Sequence, residues 1–185
     1  MTKKILSSLL IGLIYFAGNS QTASVEKSTS GIQTGLIGIW VHNEMKLTNQ
    51  IALRTEVGMN AGIFGGDFYP KNGFLMTPVI TAEPRWYYNL EKRQLKSKNI
   101  SGNSGNFVAL QTSYHPNWFV ISNYDNIKTF NLITIIPMWG IKRNIGKHFT
   151  YETAIGVGYG HQFRKEYGDL SGAIAQLHLR VGYRF

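Results

Sequence analysis

The alternation of the final stretch, Gly172 to Phe185, most constrains what this chain can fold into. A period of two over this length predicts a β-strand rather than a helix. A soluble sheet would rarely end by exposing such an apolar edge strand. A closed barrel in a bilayer would turn its apolar face to lipid and its polar face to the lumen, with aromatic residues at the interface. The apolar face comprises Ala173, Ala175, Leu177, Leu179, Val181, Tyr183 and Phe185; the other face comprises Gln176, His178, Arg180, Gly182 and Arg184, with Ile174 as its apolar member.

The chain ends in Val181-Gly182-Tyr183-Arg184-Phe185, which resembles the C-terminal strand of bacterial outer-membrane β-barrels. The resemblance implies that Tyr183 and Phe185 belong to a signal recognised by the barrel-assembly machinery. It also implies an all-β fold: a single antiparallel transmembrane β-barrel of eight strands, similar to the small OmpA/OmpX-like barrels. We therefore expect a monomer in the bacterial outer membrane.

The N-terminus has the features of a secretory signal peptide. Lys3 and Lys4 precede an apolar run from Ile5 to Ala17, and Gly18-Asn19-Ser20 supplies small residues for cleavage. The run is too short to span a bilayer as a helix. We assign residues 1–20 to the signal peptide and 21–185 to the barrel. The alternative is a buried N-terminal helix.

Composition narrows the class further. The chain has no cysteine, which excludes a disulfide framework and thiol chemistry. It has 10 Tyr, 10 Phe and 4 Trp, but no apolar run long enough for a transmembrane helix. The formal charge of +9 could indicate nucleic-acid binding. Because the cations are spread over strands and one turn, we instead expect outer-membrane lipids and lipopolysaccharide phosphates as partners, and no nucleic acid.

Alternation and turn signals predict seven clear strands. Single-chain bacterial barrels have an even strand number, so we predict an eighth, short strand in about Thr22 to Thr29 that closes the barrel. Turns near positions 45, 97 and 145 would face the periplasm, and loops near 69, 121 and 166 the exterior. The seven strands are Ile32–His42, Gln50–Gly62, Phe74–Asn89, Gly105–His115, Lys128–Lys142, His148–Gln162 and Gly172–Phe185.

Charged side chains on the inward faces form the main candidate site. Interior charge persists only when it is paired, so we predict a salt-bridge plug in the periplasmic half of the lumen. A gated path or proton-linked site is the functional alternative. Small inward residues above the plug, such as Gly156, Gly158 and Gly160, either leave a cup or only allow sharp strand coiling. The predicted cluster comprises Arg54, Glu56, Glu83, Arg85, Lys142, Glu152, His178, Arg180 and Arg184.

No catalytic, cofactor or metal-binding residues are predicted. None of the five histidines forms a His-x-His or His-x-x-x-His pair. Outer-membrane lipid A deacylases use a His-x-Ser-Asn stretch, from which His115-Pro116-Asn117 departs because the serine is missing. Nucleophilic catalysis needs a nucleophile and base within hydrogen-bond reach, and no such pair is evident.

The sequence therefore predicts a non-enzymatic outer-membrane protein with a structural, adhesion or surface-interaction role. Its loops would contact lipopolysaccharide or an external partner, with Lys71, Arg164 and Lys165 as cations on that side. The alternatives are a lipid A-modifying enzyme and a narrow solute pore, which a filled eight-stranded lumen disfavours. A soluble ligand-binding barrel fits the repeated apolar faces less well.

Overall fold

The computed structural model describes residues 23–36, 38–67, 70–164 and 168–185. The predicted signal peptide therefore lies outside the described residues. Within those ranges no helix is long and apolar enough to cross a membrane. The elements are β1 (Ser28–Gly35), β2 (Gly38–Lys46), β3 (Ile51–Phe64), β4 (Gly73–Trp86), α1 (Leu90–Leu95), a 3₁₀ turn (Ser101–Asn103), β5 (Asn106–His115), β6 (Ile121–Ser122), β7 (Asn131–Ile145), β8 (Phe149–Phe163) and β9 (Leu170–Arg184).

Eight of these strands form a closed antiparallel ring. Going round it, β1 is followed by β2, β3, β4, β5, β7, β8 and β9, and β9 pairs with β1 again. The short β6 pairs with the far half of β4, outside the ring order. The prediction of an all-β antiparallel fold with eight strands in the ring is confirmed.

The prediction for the first strand was wrong. The stretch Ile32–His42 is not one strand but the hairpin of β1 and β2, which pair from Ser28↔Met45 to Gly35↔Gly38. Both faces of this stretch are apolar, so alternation gave no sign of a reversal, and Leu36 stands where turns usually carry Gly, Asn or Asp. The eighth strand exists, but it is Ser28–Gly35 rather than Thr22–Thr29.

The connections divide into two sets at opposite ends of the ring. What we call the C-terminal end holds the β2–β3, β4–β5 and β7–β8 connections and Phe185; the loop end holds the connections after β1, β3, β5 and β8. Inward and outward residues alternate along the strands, as in the β8 burial pattern. Charged inward residues therefore meet inside the ring.

Segments of the chain lie across the C-terminal end. Ala23 and Val25 are buried there, and the Val25 amide donates to the Asn49 carbonyl at 2.9 Å. The β4–β5 connection, predicted as a turn near position 97, instead folds into α1 and the 3₁₀ turn. It buries Leu90 and Asn103. The lysines remain at the surface, while the apolar and amide side chains cover the ring.

The inward glycines of β8 serve close packing. A Cβ at Gly158 would lie 2.2 Å from the Ile135 carbonyl oxygen, and one at Gly160 would meet the Ile174 side chain. Pairing between β7 and β8 skips from Ile135↔Tyr159 to Met138↔Gly156, beside Pro137, which has no amide hydrogen to donate. For these glycines themselves, the contacts favour the interpretation that they allow sharp strand coiling.

Candidate functional site

The strand register builds two rows of alternating charge inside the ring. On β2, β3 and β4, Glu44 pairs in register with Arg54, and Arg54 with Glu83. On β7, β8 and β9, Lys142 pairs in register with Glu152, and Glu152 with Arg180. The rows thus have opposite sign sequences, negative–positive–negative and positive–negative–positive.

Three ion pairs of 2.7–2.8 Å, and a longer one of 4.0 Å between Arg54 Nη1 and Glu152 Oε2, join the two halves of the ring across the lumen. Lys142 Nζ lies 2.8 Å from Glu44 Oε1, and Arg85 Nη2 lies 2.7 Å from Glu152 Oε1. A third pair, 2.7 Å between the Arg180 Nη1 and Glu56 Oε2 atoms, lies nearest the loop end. Each pair links a strand of the β2–β4 group to a strand of the β7–β9 group, so the contacts fill the ring at this level.

Glu44 lies at the centre of the network. One of its carboxylate oxygens accepts hydrogen bonds from Lys142, Arg54 (3.2 Å) and Arg85 (3.4 Å). The other accepts from Asn103 (2.7 Å) and from the Tyr87 hydroxyl (3.0 Å). A fully buried carboxylate needs such a complete set of donors to remain ionised.

Sequence reasoning missed Glu44 because it placed residues 43–49 in a turn. The structure continues β2 to Lys46, which puts Glu44 on the inward face. The signal was present: Ile39, Val41 and Met45 alternate with Trp40, His42 and Glu44. Ending the strand at His42 removed the last members of that alternation.

Every strand of the ring contributes a side chain to the network. Gln33 of β1 accepts from Arg54 at 2.7 Å, and Gln111 of β5 donates to Glu83 at 3.4 Å. Glu83 also accepts from Arg85 Nε at 2.9 Å. Four carboxylates face four cations, so the formal charges cancel. They are Glu44, Glu56, Glu83 and Glu152, against Arg54, Arg85, Lys142 and Arg180.

Aromatic rings complete the packing of two guanidinium groups. The Arg85 guanidinium lies 4.3 Å from the centroid of Phe107, and that of Arg180 lies 3.8 Å from the centroid of Trp40. Such stacking is more favourable when the pair is removed from water. Arginine suits these positions because its planar group can stack while its edges bind carboxylates.

The remaining predicted residues lie at the edges of the network. His178 is buried beside Arg180 and contacts Gln176 through Nε2. Arg184, predicted in the cluster, lies apart from it: it pairs with Glu26 at 3.1 Å and donates to the Lys147 carbonyl at the C-terminal end. It sits there because it is the last residue of β9, beyond the charged layer.

The C-terminal residues Tyr183 and Phe185 lie on the outside of the ring. The Tyr183 ring stacks on His148 with a centroid distance of 5.1 Å, and it also contacts Phe149 and Phe185. Phe185 donates its backbone N–H to the Ser30 carbonyl at 3.0 Å. The last residue therefore extends the β1–β9 seam.

Asn103 couples the network to the segments that cover the C-terminal end. Its side chain donates to Glu44 and accepts from the Glu26 backbone amide at 2.8 Å. Tyr87, from the same connection, also donates to Glu44, and burial raises the pKa of its hydroxyl well above the usual value. The hydroxyl therefore stays protonated and continues to act as a donor.

The arrangement holds charge rather than offering reactive groups. All four carboxylates of the network are engaged by cations, which leaves none poised as a general base. Among the described residues no group of three or more His, Asp or Glu side chains could hold a metal ion. The network is therefore a charge-neutral layer that fills the ring at this level.

The chain matches no protein-family model, and comparisons with curated proteins and with solved structures found no significant similarity. The outer-membrane barrel resemblance therefore rests on the sequence pattern and the fold alone.

Glu44→Gln tests the central role of Glu44. The change keeps the side-chain shape but leaves the neighbouring cations with an uncompensated buried charge. We expect the free energy of unfolding to fall by about 3–5 kcal/mol, as when one partner of a buried ion pair is removed. Urea unfolding of the purified protein, followed by tryptophan fluorescence, measures the effect.

Glu26→Gln is the matched control, because Glu26 pairs with Arg184 at a partly exposed position. We expect a loss of about 1 kcal/mol or less there. Adding Lys142→Met to Glu44→Gln restores charge balance and should recover part of the loss. If Glu44→Gln and Glu26→Gln lower the free energy of unfolding by the same amount, Glu44 is not central to the network.

Proposed function

We propose that the chain is a non-enzymatic outer-membrane β-barrel whose loop end contacts lipopolysaccharide or an external partner. One observation carries the membrane assignment: the usual polarity of a globular protein is inverted. Charged residues such as Arg54 and Glu152 are fully buried inside the ring, while Leu177, Val181 and Ile155 are exposed outside it. An exposed apolar surface this extensive would be a liability in water, and it is what hydrocarbon requires.

The outward face of β8 has the expected order of residue types. Phe149 and Tyr151 lie near one end, Ile155 and Val157 in the middle, and Tyr159 begins the other aromatic group. At about 3.3 Å per residue, Tyr151 and Tyr159 are roughly 26 Å apart along the strand. A tilt of about 40° reduces that to roughly 20 Å, close to the height of an outer-membrane apolar band.

Aromatic contacts at the C-terminal end support an interfacial girdle. The Trp86 and Tyr88 rings contact each other with a centroid distance of 5.9 Å, and the Trp139 indole donates to the Tyr88 hydroxyl at 2.9 Å. Tyrosine and tryptophan favour the membrane–water interface, where the ring is apolar and the polar atom is hydrated. The predicted signal peptide and the C-terminal resemblance support the outer membrane rather than another bilayer.

Val157→Arg separates a membrane barrel from a soluble one. Val157 and Leu95 are 62 % and 81 % exposed, so in water an arginine should be tolerated at either position. In a bilayer we expect Val157→Arg, in the middle of β8, to cost about 2–4 kcal/mol. Leu95→Arg, on α1 outside the ring, should cost almost nothing.

Refolding into lipid vesicles, with unfolding titrations at equilibrium, measures both changes. Equal stability of the two variants in vesicles would contradict membrane insertion.

The closed interior supports a non-conducting barrel. The charged layer spans the lumen, and the segments around Val25 and Asn103 lie across the C-terminal end. Eight-stranded barrels have interiors that side chains can fill. The carboxylates of the network are all engaged by cations, and the described residues hold no metal cluster, which favours a structural or surface-contact role over lipid A modification. At the loop end, His161 lies 2.7 Å from Ser171 Oγ and 3.4 Å from Asp169 Oδ2, and the lipid A measurement tests whether this contact has an activity.

Planar-bilayer recording and lipid A analysis test the two alternative functions, a solute pore and a lipid A-modifying enzyme. We expect no discrete conductance from the purified protein and no change in lipid A mass when it is expressed in a host. Discrete conductance would reveal a path through the charged layer, and altered lipid A would reveal a catalytic site. Either result would overturn the proposed role.

The loop end is held together by contacts between loops. The Tyr124 hydroxyl donates to the Lys71 carbonyl at 2.5 Å, and the Asn123 side chain bonds to Asn72 and to the Phe74 amide. β6 adds two residue pairs to β4 at this end. An ordered surface loses less entropy when it binds a partner. Of the cations expected here, Lys165 lies outside the described residues.

A charge-reversal pair tests lipopolysaccharide contact. Lys71 and Lys128 are exposed at the loop end, whereas Lys92 and Lys98 are exposed at the C-terminal end. We expect Lys71→Glu with Lys128→Glu to weaken binding of reconstituted protein to lipopolysaccharide several-fold at low salt, because phosphates prefer cations. Lys92→Glu with Lys98→Glu makes the same change in net charge. An equal loss in both pairs would contradict a loop-specific contact.

A further inference from the structure

A cavity of about 430 Å³ lies between the charged network and the loop end. Its deep end includes Trp40, Glu56 and Arg180, which belong to or border the network, while Val79, Ile136 and Ile174 supply apolar walls. The Arg180 and Glu56 charges are paired with each other at 2.7 Å. The cavity thus offers an apolar space above an electrically neutral floor, within the size range of small-molecule sites.

The ring wall is incomplete beside this cavity. β1 ends at Gly35 and pairs with β9 only between Gly35↔Arg180 and Gly31↔Arg184. Residues 170–179 of β9 pair with β8 on one side and, among the described residues, with no strand on the other. β3 likewise continues to Phe64, past its last pair with β2 at Asn60. The β1–β2 hairpin therefore leaves a notch between β9 and β3.

The cavity reaches this notch. Its lining includes Gln176 and His178, which face inward on β9, and also Leu177 and Leu179, which face outward on the same strand. Consecutive residues can border one space through their backbone along an unpaired edge, which β9 has at residues 170–179 within the described part of the chain. β8 covers the other edge, so the passage lies on the β1 side, where Leu36 also lines it.

We infer that this cavity takes the aliphatic chain of a membrane amphiphile, which enters sideways through the notch. Leu177 and Leu179 border the cavity and carry exposed apolar side chains on the outer face of β9, beside a space walled by Val79, Ile136 and Ile174. Unpaired backbone groups along the β9 edge need polar partners, which the headgroup or ester of an amphiphile supplies at the entrance. The inference rests on the proposed membrane placement.

Trp40 is a built-in reporter of the cavity. It is 3 % exposed and lines the cavity, whereas Trp139 lies on the outer face at 44 % exposure. The experiment uses two single-tryptophan proteins in vesicles of phospholipid with brominated acyl chains. In one, Trp86, Trp118 and Trp139 are changed to Phe; in the other, Trp40, Trp86 and Trp118 are changed to Phe. Bromine quenches tryptophan fluorescence only at short range.

We expect strong quenching of both Trp139 and Trp40. Absence of quenching at Trp139 would overturn the membrane placement itself. Quenching at Trp139 with no quenching at Trp40, either here or in the second arm below, would overturn the cavity inference alone. A second arm uses unbrominated vesicles with added brominated free fatty acid. Quenching of Trp40 in the first arm identifies a phospholipid chain as the ligand, and quenching only in the second identifies a free fatty acid.

Filling the cavity tests whether Trp40 is quenched by acyl chains inside the cavity rather than by lipid on the outer side of the ring. Ser113 and Thr134 pair in register on β5 and β7, and both line the cavity. The neighbouring pair in register, Thr112 and Ile135, faces outward. In the Trp40-only protein, Ser113→Phe with Thr134→Phe should abolish most of the quenching, and Thr112→Phe with Ile135→Phe should retain it. Circular dichroism verifies that both proteins fold, and equal quenching in the two would overturn the inference.

Discussion

The ion pairs across the lumen are the interaction on which the rest of this structure depends. Without them, the ring would enclose four carboxylates and four cations away from water, a cost of several kcal/mol for each ion. The strand register offsets this cost, because it places the negative–positive–negative row opposite the positive–negative–positive row. Glu44 is decisive because five donors converge on it. If these charges were buried without forming ion pairs, the closed ring would not be stable.

The two halves of the interior differ in chemistry because they differ in side-chain size and charge. Toward the C-terminal end, long charged side chains and Tyr87 fill the ring, and the segments that bury Val25 and Leu90 cover it. Toward the loop end, short residues such as Ser113 and Thr134 line an apolar cavity. The same fold therefore combines a half that is filled by side chains with a half that has room for a ligand. The proposed surface and acyl-chain roles both belong to the second half.

Much of the fold could be predicted because period two is a strong signal where one face is apolar and the other polar. For β8 and β9 this alternation assigned the two faces, and the same pattern predicted that Arg54, Glu152 and Arg180 point inward. The β1–β2 hairpin could not be found this way, since both faces of Ile32–His42 are apolar. That error also hid Glu44. The role of Asn103 could not be anticipated, because its contacts come from a folded connection with no periodic pattern.

The sequence separation of the cross-lumen partners has a consequence for assembly. Glu44 and Lys142 are 98 residues apart, and Glu56 and Arg180 are 124 apart. Contacts of such high contact order form late and slowly. In the proposed membrane setting, a half-built sheet would expose unpaired charges to hydrocarbon, which is costly for each ion. Arg180 lies on β9, so its pairing with Glu56 is completed only when β9 joins β1 and the ring closes.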